Sequence, residues 1–202
     1  MRFTCRNNAF SPLKTWVIEG TALRIETDGQ PPDIIPLQAV KTVGLSFAPT
    51  RAEPGRFRCR LELDRRPADE FFNRTYRGLN DFPDLSADYA GFVRGLHQAL
   101  AQHAPGCRFT GGASPARYAF NTACLIFTAL VLMVAAVALL ATGFILVVVI
   151  KLALIVLFWP VAWKWLERNR PQTYRPDAIP EHLLPAVGPA PGQAAAPSSH
   201  SL

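Results

Sequence analysis

The chain has 202 residues, of which 50% are hydrophobic, and a formal net charge of +6 at pH 7. Residues 1–117 carry 16 basic and 12 acidic side chains, and residues 118–202 carry 5 basic and 3 acidic ones. This excess of positive charge is mild and spread along the chain, whereas nucleic-acid-binding domains concentrate it in one patch. We therefore expect no nucleic-acid partner.

The cysteines indicate neither a metal site nor a disulfide framework. Cys5, Cys59, Cys107 and Cys124 form no CxxC pair and have no histidine at the spacing of a zinc site. Thiols placed singly are typical of a reducing compartment. The sequence also contains no constellation of catalytic side chains. We predict a protein that is not an enzyme and that has no catalytic residues, no metal ion and no cofactor.

The sequence pattern of residues 1–107 predicts a small domain that begins with an antiparallel sheet. Short alternating stretches, separated by Gly and Pro, indicate strands between Lys14 and Tyr76. The predicted strands cover residues 15–19, 23–27, 34–37, 39–47, 56–64 and 70–76. The fifth is the clearest, because apolar and charged residues alternate along it and one face must be buried.

Arginine side chains project from one face of this fifth strand and from the turn after it. The candidate surface for lipid head groups or for a partner protein consists of Arg56, Arg58, Arg60, Arg65 and Arg66. A basic residue near an anionic membrane contributes about 1 kcal/mol of binding free energy. The alternative is a solvated face that also discourages aggregation between strands. The acidic residues nearby, Glu62, Asp64, Asp69 and Glu70, favour this alternative.

One amphipathic helix follows the predicted strands. From Ser86 onward, apolar residues recur at helical spacing, namely Tyr89, Phe92, Val93, Leu96 and Leu100. We expect Ser86 to cap this helix. The apolar stripe needs a partner, and the sheet offers it. The predicted fold class is therefore α+β, with a curved antiparallel sheet of five to seven strands closed by one C-terminal helix.

Residues 108–117 are predicted to be a flexible linker between this domain and the membrane. The run Thr110-Gly111-Gly112 superficially suggests the glycine-rich loop of a phosphate-binding site. The lysine of that motif and the strand expected before it are missing, so the linker is the better interpretation.

Residues 118–166 form an almost unbroken apolar tract, in which Lys151 and Lys164 are the only charges. About 20 helical residues cross a bilayer core, so the tract is long enough for two helices. A turn at Thr142-Gly143 would divide it into helices at about 119–141 and 144–166. Basic residues flank both ends of the tract and none lies in the turn, which predicts a hairpin with both termini in the cytoplasm.

Lys151 lies within the second predicted membrane helix. An intramembrane lysine suggests a proton or ion ligand, or a contact with another membrane subunit. The alternative is that its long side chain snorkels to the outer surface. The tract contains no Asp, Glu or His that would pair with it, which favours snorkelling.

Residues 167–202 form a proline-rich tail that we expect to be mostly disordered. Ile179, Leu183 and Leu184 form its one apolar patch. We expect this patch to dock on the soluble domain or on a partner.

Several features together resemble bacterial membrane-anchored proteins with a pleckstrin-homology-like (PH-like) domain, a largely uncharacterised family. They are the order of short strands, the run Ile35-Pro36-Leu37 that leads to Val40 and Val43, the helix at residues 88–97, and the tail segments at residues 169–171, 174–176 and 178–185. The resemblance covers residues 15–185. It implies a PH-like fold on the cytoplasmic side of the bacterial inner membrane, and it transfers no catalytic residue.

The sequence thus predicts a membrane-anchored interaction module without chemistry of its own. Its expected partners are membrane lipids or an unknown membrane or cytoplasmic protein. Homo-oligomerisation is also compatible with the sequence, because the alanines at 135, 136, 138 and 141 would permit close helix packing. The alternative function is an accessory subunit of a membrane transport or enzyme complex that uses Lys151.

Overall fold

The structure, a computed structural model, describes residues 1–79, 81–141, 159, 163 and 166–186. The described part is an α+β arrangement of two sheets, one buried helix and one exposed apolar helix. The predicted turn at Thr142-Gly143, Lys151 and residues 187–202 lie outside the described residues.

The first sheet contains four antiparallel strands that pair in chain order. They are β1 (Arg2–Cys5), β2 (Lys14–Glu19), β3 (Ala22–Thr27) and β4 (Asp33–Pro36). Gly20 and Thr21 connect β2 to β3, as the sequence predicts. Gly20 has a φ of +53°, which glycine adopts without the steric penalty of a side chain.

The second sheet has five strands in the order β7-β6-β5-β8-β9. They are β5 (Val40–Phe47), β6 (Phe57–Leu63), β7 (Asp69–Phe72), β8 (Arg108–Gly111) and β9 (Gln172–Thr173). Neighbouring strands are antiparallel except β5 and β8, which are parallel. A 3-10 turn at Leu37–Ala39 leads from the first sheet into β5.

Helix α1 (Ser86–His103) covers the core that both sheets share, and it buries the apolar stripe predicted for it. An aromatic cluster joins α1 to both sheets. Phe71 of β7 lies 5.0 Å from Trp16 of β2, 5.4 Å from Phe3 of β1 and 5.5 Å from Phe92 of α1, between ring centroids. Pairs of this kind add about 0.5–1.5 kcal/mol each beyond the burial of their area.

The prediction that Ser86 caps α1 is wrong. Leu85 occupies the N-cap position and offers no side-chain hydrogen bond. The carboxylate of Asp84 instead accepts from the backbone N–H of Ser86 at 3.0 Å and from its hydroxyl at 2.5 Å. A carboxylate is favoured here because the helix N-terminus carries partial positive charge.

Strands β1, β8 and β9 are not among the predicted strands, and two of them correct the predicted domain boundaries. β8 occupies residues 108–111, where a flexible linker is expected, because Phe109 is buried in the core while its neighbours Arg108 and Thr110 are more exposed. β9 lies in the tail that is expected to be mostly disordered, and it pairs with β8. The domain therefore includes residues from both sides of the apolar tract.

Helix α2 (Pro115–Ala141) follows β8 after a short turn. It begins four residues before the predicted start at Ala119, with proline at its first position, where a missing N–H costs nothing. Its segment Pro115–Val137 has 23 residues and a mean hydropathy of 2.3. Among the described residues, this is the one helix that is long and apolar enough to cross a membrane.

Candidate functional site

The two segments that flank the apolar tract meet at the end of β8. The backbone amide of Ala113 donates to the carbonyl of Asn169 at 3.0 Å, and the amide of Gly112 donates to the carbonyl of Leu45 at 2.8 Å. Gly112 has a φ of +83°, and a Cβ there would collide with the carbonyl groups of Asn169 and Arg170. Glycine thus permits the chain to leave the domain at Ala113 and to return to it at Asn169.

Residues 169–184, which follow the apolar tract and which we call the returning segment, contribute to the core of the domain. Tyr174 donates its backbone N–H to the carbonyl of Phe109 at 3.2 Å. Leu183 is fully buried, Leu184 is 7% exposed, and Ile179 packs against the same core. The three residues of the predicted docking patch thus pack against the core of the α+β domain of their own chain.

A buried histidine joins this segment to α1. Nδ1 of His97 lies 2.7 Å from the carbonyl of Val93, so Nδ1 carries the proton and Nε2 accepts from the hydroxyl of Tyr174 at 3.0 Å. The imidazole also packs on the ring of Phe109, with centroids 4.9 Å apart. Burial lowers the pKa of His97 to about 4, although the hydrogen bond to Val93 opposes this change. The ring is neutral at pH 7 and has a structural role.

A groove of about 850 Å³ lies on the outer face of the second sheet. Its floor is formed by β5, β6 and β8, one wall by the turn and first residues of α2 (residues 112–117), and the other wall by residues 171–173. Both flanks of the apolar tract therefore line this groove. We call it the basic groove because of the side chains described next.

Arginine dominates the charge of the basic groove. Its charged lining residues are Arg58, Arg60, Glu62, Arg108 and Arg117. Glu62 lies 3.7 Å from Arg60, and within the described part of the chain no carboxylate lies within 4.0 Å of Arg108 or Arg117. The formal charge of the lining is therefore +3.

Arg58 is repelled by two other arginines of the groove, Arg117 and Arg60. Its Nε donates to the hydroxyl of Ser46 at 3.2 Å, and Glu70 lies 3.7 Å from its guanidinium. Burial lowers the pKa of Arg58, Glu70 opposes the change, and repulsion from Arg117 adds to it. The guanidinium stays protonated at pH 7 because its ordinary pKa is far above neutrality. An anion placed between these arginines would relieve their repulsion.

The structure divides the arginine surface predicted from the sequence. Arg58 and Arg60 line the basic groove. Arg56 does not, because it stacks on the ring of Phe72 at 3.6 Å and pairs with Glu53 at 3.1 Å. Arg66 is held by both carboxylate oxygens of Asp33 at 2.8 and 2.9 Å. Arg65 occupies the turn after β6, with a φ of +55°.

Arg108 and Arg117 complete the groove, although they are not among the arginines predicted to form the ligand surface. The signal for Arg108 is the alternation of Arg108, Phe109 and Thr110, which indicates a strand with one buried position. The signal for Arg117 is weaker, because only the position of α2 against the sheet brings it toward Arg58.

The described residues contain no group of three or more His, Cys, Asp or Glu side chains that would hold a metal ion. In comparisons with known proteins, no family model, no curated protein and no solved structure matches this chain.

Proposed function

We propose that the chain is a membrane-anchored interaction module without chemistry of its own. Its α+β domain is tethered to the cytoplasmic face of a bacterial inner membrane by a two-helix hairpin, and the basic groove is its binding surface for lipid head groups or for a partner protein. The observation that carries the proposal is the hydrogen bond between Ala113 and Asn169, because it fixes both ends of the apolar tract at one place.

Geometry favours an even number of membrane crossings. If α2 crosses a bilayer, the chain must cross again to return from the far side to Asn169. The tract is long enough for this, since each crossing takes about 20 helical residues. The exposed side chains of Trp159 and Trp163, stacked with centroids 6.2 Å apart, suit the interface near the end of a returning helix.

Charge supports a cytoplasmic position for the domain. Arg108 and Arg117 precede or begin α2, and Arg168, Arg170 and Arg175 follow the tract. Basic residues that flank membrane helices are retained on the cytoplasmic side. The hairpin therefore has both of its ends, and the domain that joins them, in the cytoplasm.

The strand order supports a PH-like arrangement. Four consecutive strands form the first sheet, the next three form part of the second, and α1 follows immediately in the chain. In this proposal β8 and β9 are additions that connect a PH-like core to the membrane hairpin. In this proposal the folded core holds the groove residues in position, and the groove on its outer face determines which ligand is bound.

Single cysteines test the tether in intact cells. In a background without the native cysteines, Arg51→Cys reports on the domain, Gly143→Cys on the predicted turn and Arg175→Cys on the returning segment. A membrane-impermeant maleimide should label only Gly143→Cys in spheroplasts, and it should label all three after permeabilisation. Labelling of Arg51→Cys and Arg175→Cys on opposite sides of the membrane would refute the hairpin.

A further inference from the structure

We propose that the basic groove binds the phosphate group of an anionic membrane lipid, with Arg58, Arg108 and Arg117 as its main ligands. This inference rests on the proposed function, because a lipid head group reaches the groove only if α2 enters a bilayer beside it. It replaces the wider arginine surface of the sequence analysis with one defined site.

The groove lies beside the start of α2. Ser114, Pro115 and Arg117 line the groove; Ser114 immediately precedes α2, and Pro115 and Arg117 lie in its first turn. A bilayer entered by α2 would place its head-group layer at this level, next to the opening of the groove. The positive end of the α2 dipole lies at the same place and adds to the attraction for an anion.

The side chains that line the groove suit a phosphate group. Guanidinium groups bind phosphate oxygens through two parallel hydrogen bonds, and an unpaired guanidinium has these donors available. Arg108 and Arg117 have no ion pair within the described residues, whereas Arg56 and Arg66 outside the groove are paired with Glu53 and Asp33. Arg108 and Arg117 thus supply the groove with guanidinium groups that no described carboxylate pairs, beside Arg58 and Arg60, which each lie 3.7 Å from a carboxylate.

The groove is complete only when the returning segment is docked. Pro171, Gln172 and Thr173 form one wall, while Arg108 and Thr110 on β8 form part of the floor. A ligand that binds the assembled groove must stabilise the docking of this segment, by linkage. Lipid binding and closure of the domain are therefore coupled.

Native mass spectrometry of the full chain tests the proposal directly. The purified protein is reconstituted with phosphatidylglycerol or with phosphatidylcholine, and retained lipids are counted. The double variant Arg108→Gln/Arg117→Gln is compared with Arg51→Gln/Arg94→Gln, which removes two exposed arginines outside the groove. Loss of two basic residues, each contributing about 1 kcal/mol, should lower the affinity for phosphatidylglycerol about thirtyfold in the groove variant, and the control should match the unchanged protein.

Three results would overturn the proposal. They are equal retention of the two lipids by the unchanged protein, equal retention of phosphatidylglycerol by both double variants, and binding of inorganic phosphate in neutral detergent without any preference for the anionic lipid. The last result would assign the groove to a soluble phosphate compound. If the protein is released from membranes by alkaline carbonate, the proposed function itself fails, which is a separate outcome.

A folding control keeps the comparison interpretable. The thiol of Cys59 is fully buried, so its protection from maleimide reports an intact core. If the glutamine variant loses this protection, Arg108→Lys/Arg117→Lys takes its place. Lysine keeps the charge but not the two parallel hydrogen bonds, so retention of phosphatidylglycerol should again fall, and unchanged retention would contradict the proposal.

Discussion

The hydroxyl of Tyr174 donates a 3.0 Å hydrogen bond to Nε2 of His97, and this bond joins the segment after the apolar tract to the helix before it. His97 is fully buried and its second nitrogen donates to the carbonyl of Val93. Only the neutral imidazole accepts the Tyr174 proton at Nε2, because protonation places a hydrogen on Nε2 and the hydroxyl would have to turn and accept instead. The interface between the two segments is therefore sensitive to pH.

Lowering the pH should destabilise the domain through His97. Its pKa is about 4 in the folded state and 6.5 in the unfolded state, so the unfolded state binds more protons between these values. The contribution of the neutral imidazole to the free energy of unfolding is fully present above pH 6.5. It is lost as the pH falls, so that the free energy of unfolding is lower by about 3 kcal/mol at pH 4. Urea midpoints at pH 7.5 and 4.5 measure it, with Trp16 as the fluorescent probe after Trp159, Trp163 and Trp165 are changed to Phe.

His97→Gln supplies the control for this pH effect. Glutamine does not titrate, so the variant should lose less stability than the unchanged protein over the same pH interval. Carboxylates titrate in both proteins, and the comparison removes their contribution. Equal losses in both proteins would show that His97 does not carry the effect.

Tyr174→Phe removes the hydroxyl and leaves Nε2 of His97 without its donor. We expect a loss of about 1 kcal/mol of unfolding free energy, which is the usual worth of one such hydrogen bond. Tyr76→Phe is the matched control, because the hydroxyl of Tyr76 has no hydrogen bond within the described residues. If the two variants have the same urea midpoint, the bond contributes nothing.

Gly112→Ala should open the junction between the two flanks. Its Cβ would collide with the carbonyl groups of Asn169 and Arg170, and its φ of +83° is strained for any residue with a side chain. We expect easier unfolding and increased maleimide labelling of the partly buried thiol of Cys107. Gly91→Ala, where the new methyl group meets open space within α1, should instead stabilise the domain by about 0.5–1 kcal/mol. Equal labelling in both variants would contradict the close approach.

Leu183→Ala tests whether the returning segment belongs to the core. Leu183 is fully buried and its side chain packs against Gly111 of β8. Removing it should cost about 2–5 kcal/mol of unfolding free energy. Ile34→Ala, at a position that is 60% exposed, should change the stability by less than about 0.5 kcal/mol. If Leu183→Ala has only a small effect on the unfolding transition that Trp16 fluorescence reports, the returning segment is not part of the core.

The elements predicted correctly are those with a strong local pattern. The β2–β3 hairpin has a glycine turn between two alternating stretches, β6 alternates between arginine and buried residues, and α1 carries an apolar stripe. Each pattern arises from neighbours within a few residues in the chain. This is why sequence alone suffices to locate them.

The remaining elements depend on partners that are distant in the sequence. β8 is stabilised by parallel pairing with β5, and β9 by pairing with β8 across the whole apolar tract. Strand β9 has only two residues, which are too few to show the alternation that identifies a strand in the sequence. The basic groove has the same origin, because Arg58 and Arg60 share a strand face, whereas Arg108 and Arg117 join them only through the tertiary fold.

Closure of one domain by both flanks of the apolar tract is tested most directly by a disulfide between β8 and β9. Thr110 and Thr173 are direct partners in the antiparallel register, so the pair Thr110→Cys/Thr173→Cys is within reach of a disulfide. In native membranes under mild oxidation, mass spectrometry should find these two positions linked in most molecules, and the control pair Thr110→Cys/Asp177→Cys should remain mostly unlinked. Equal linkage of the two pairs, or no linkage while both thiols react with maleimide, would contradict the closure.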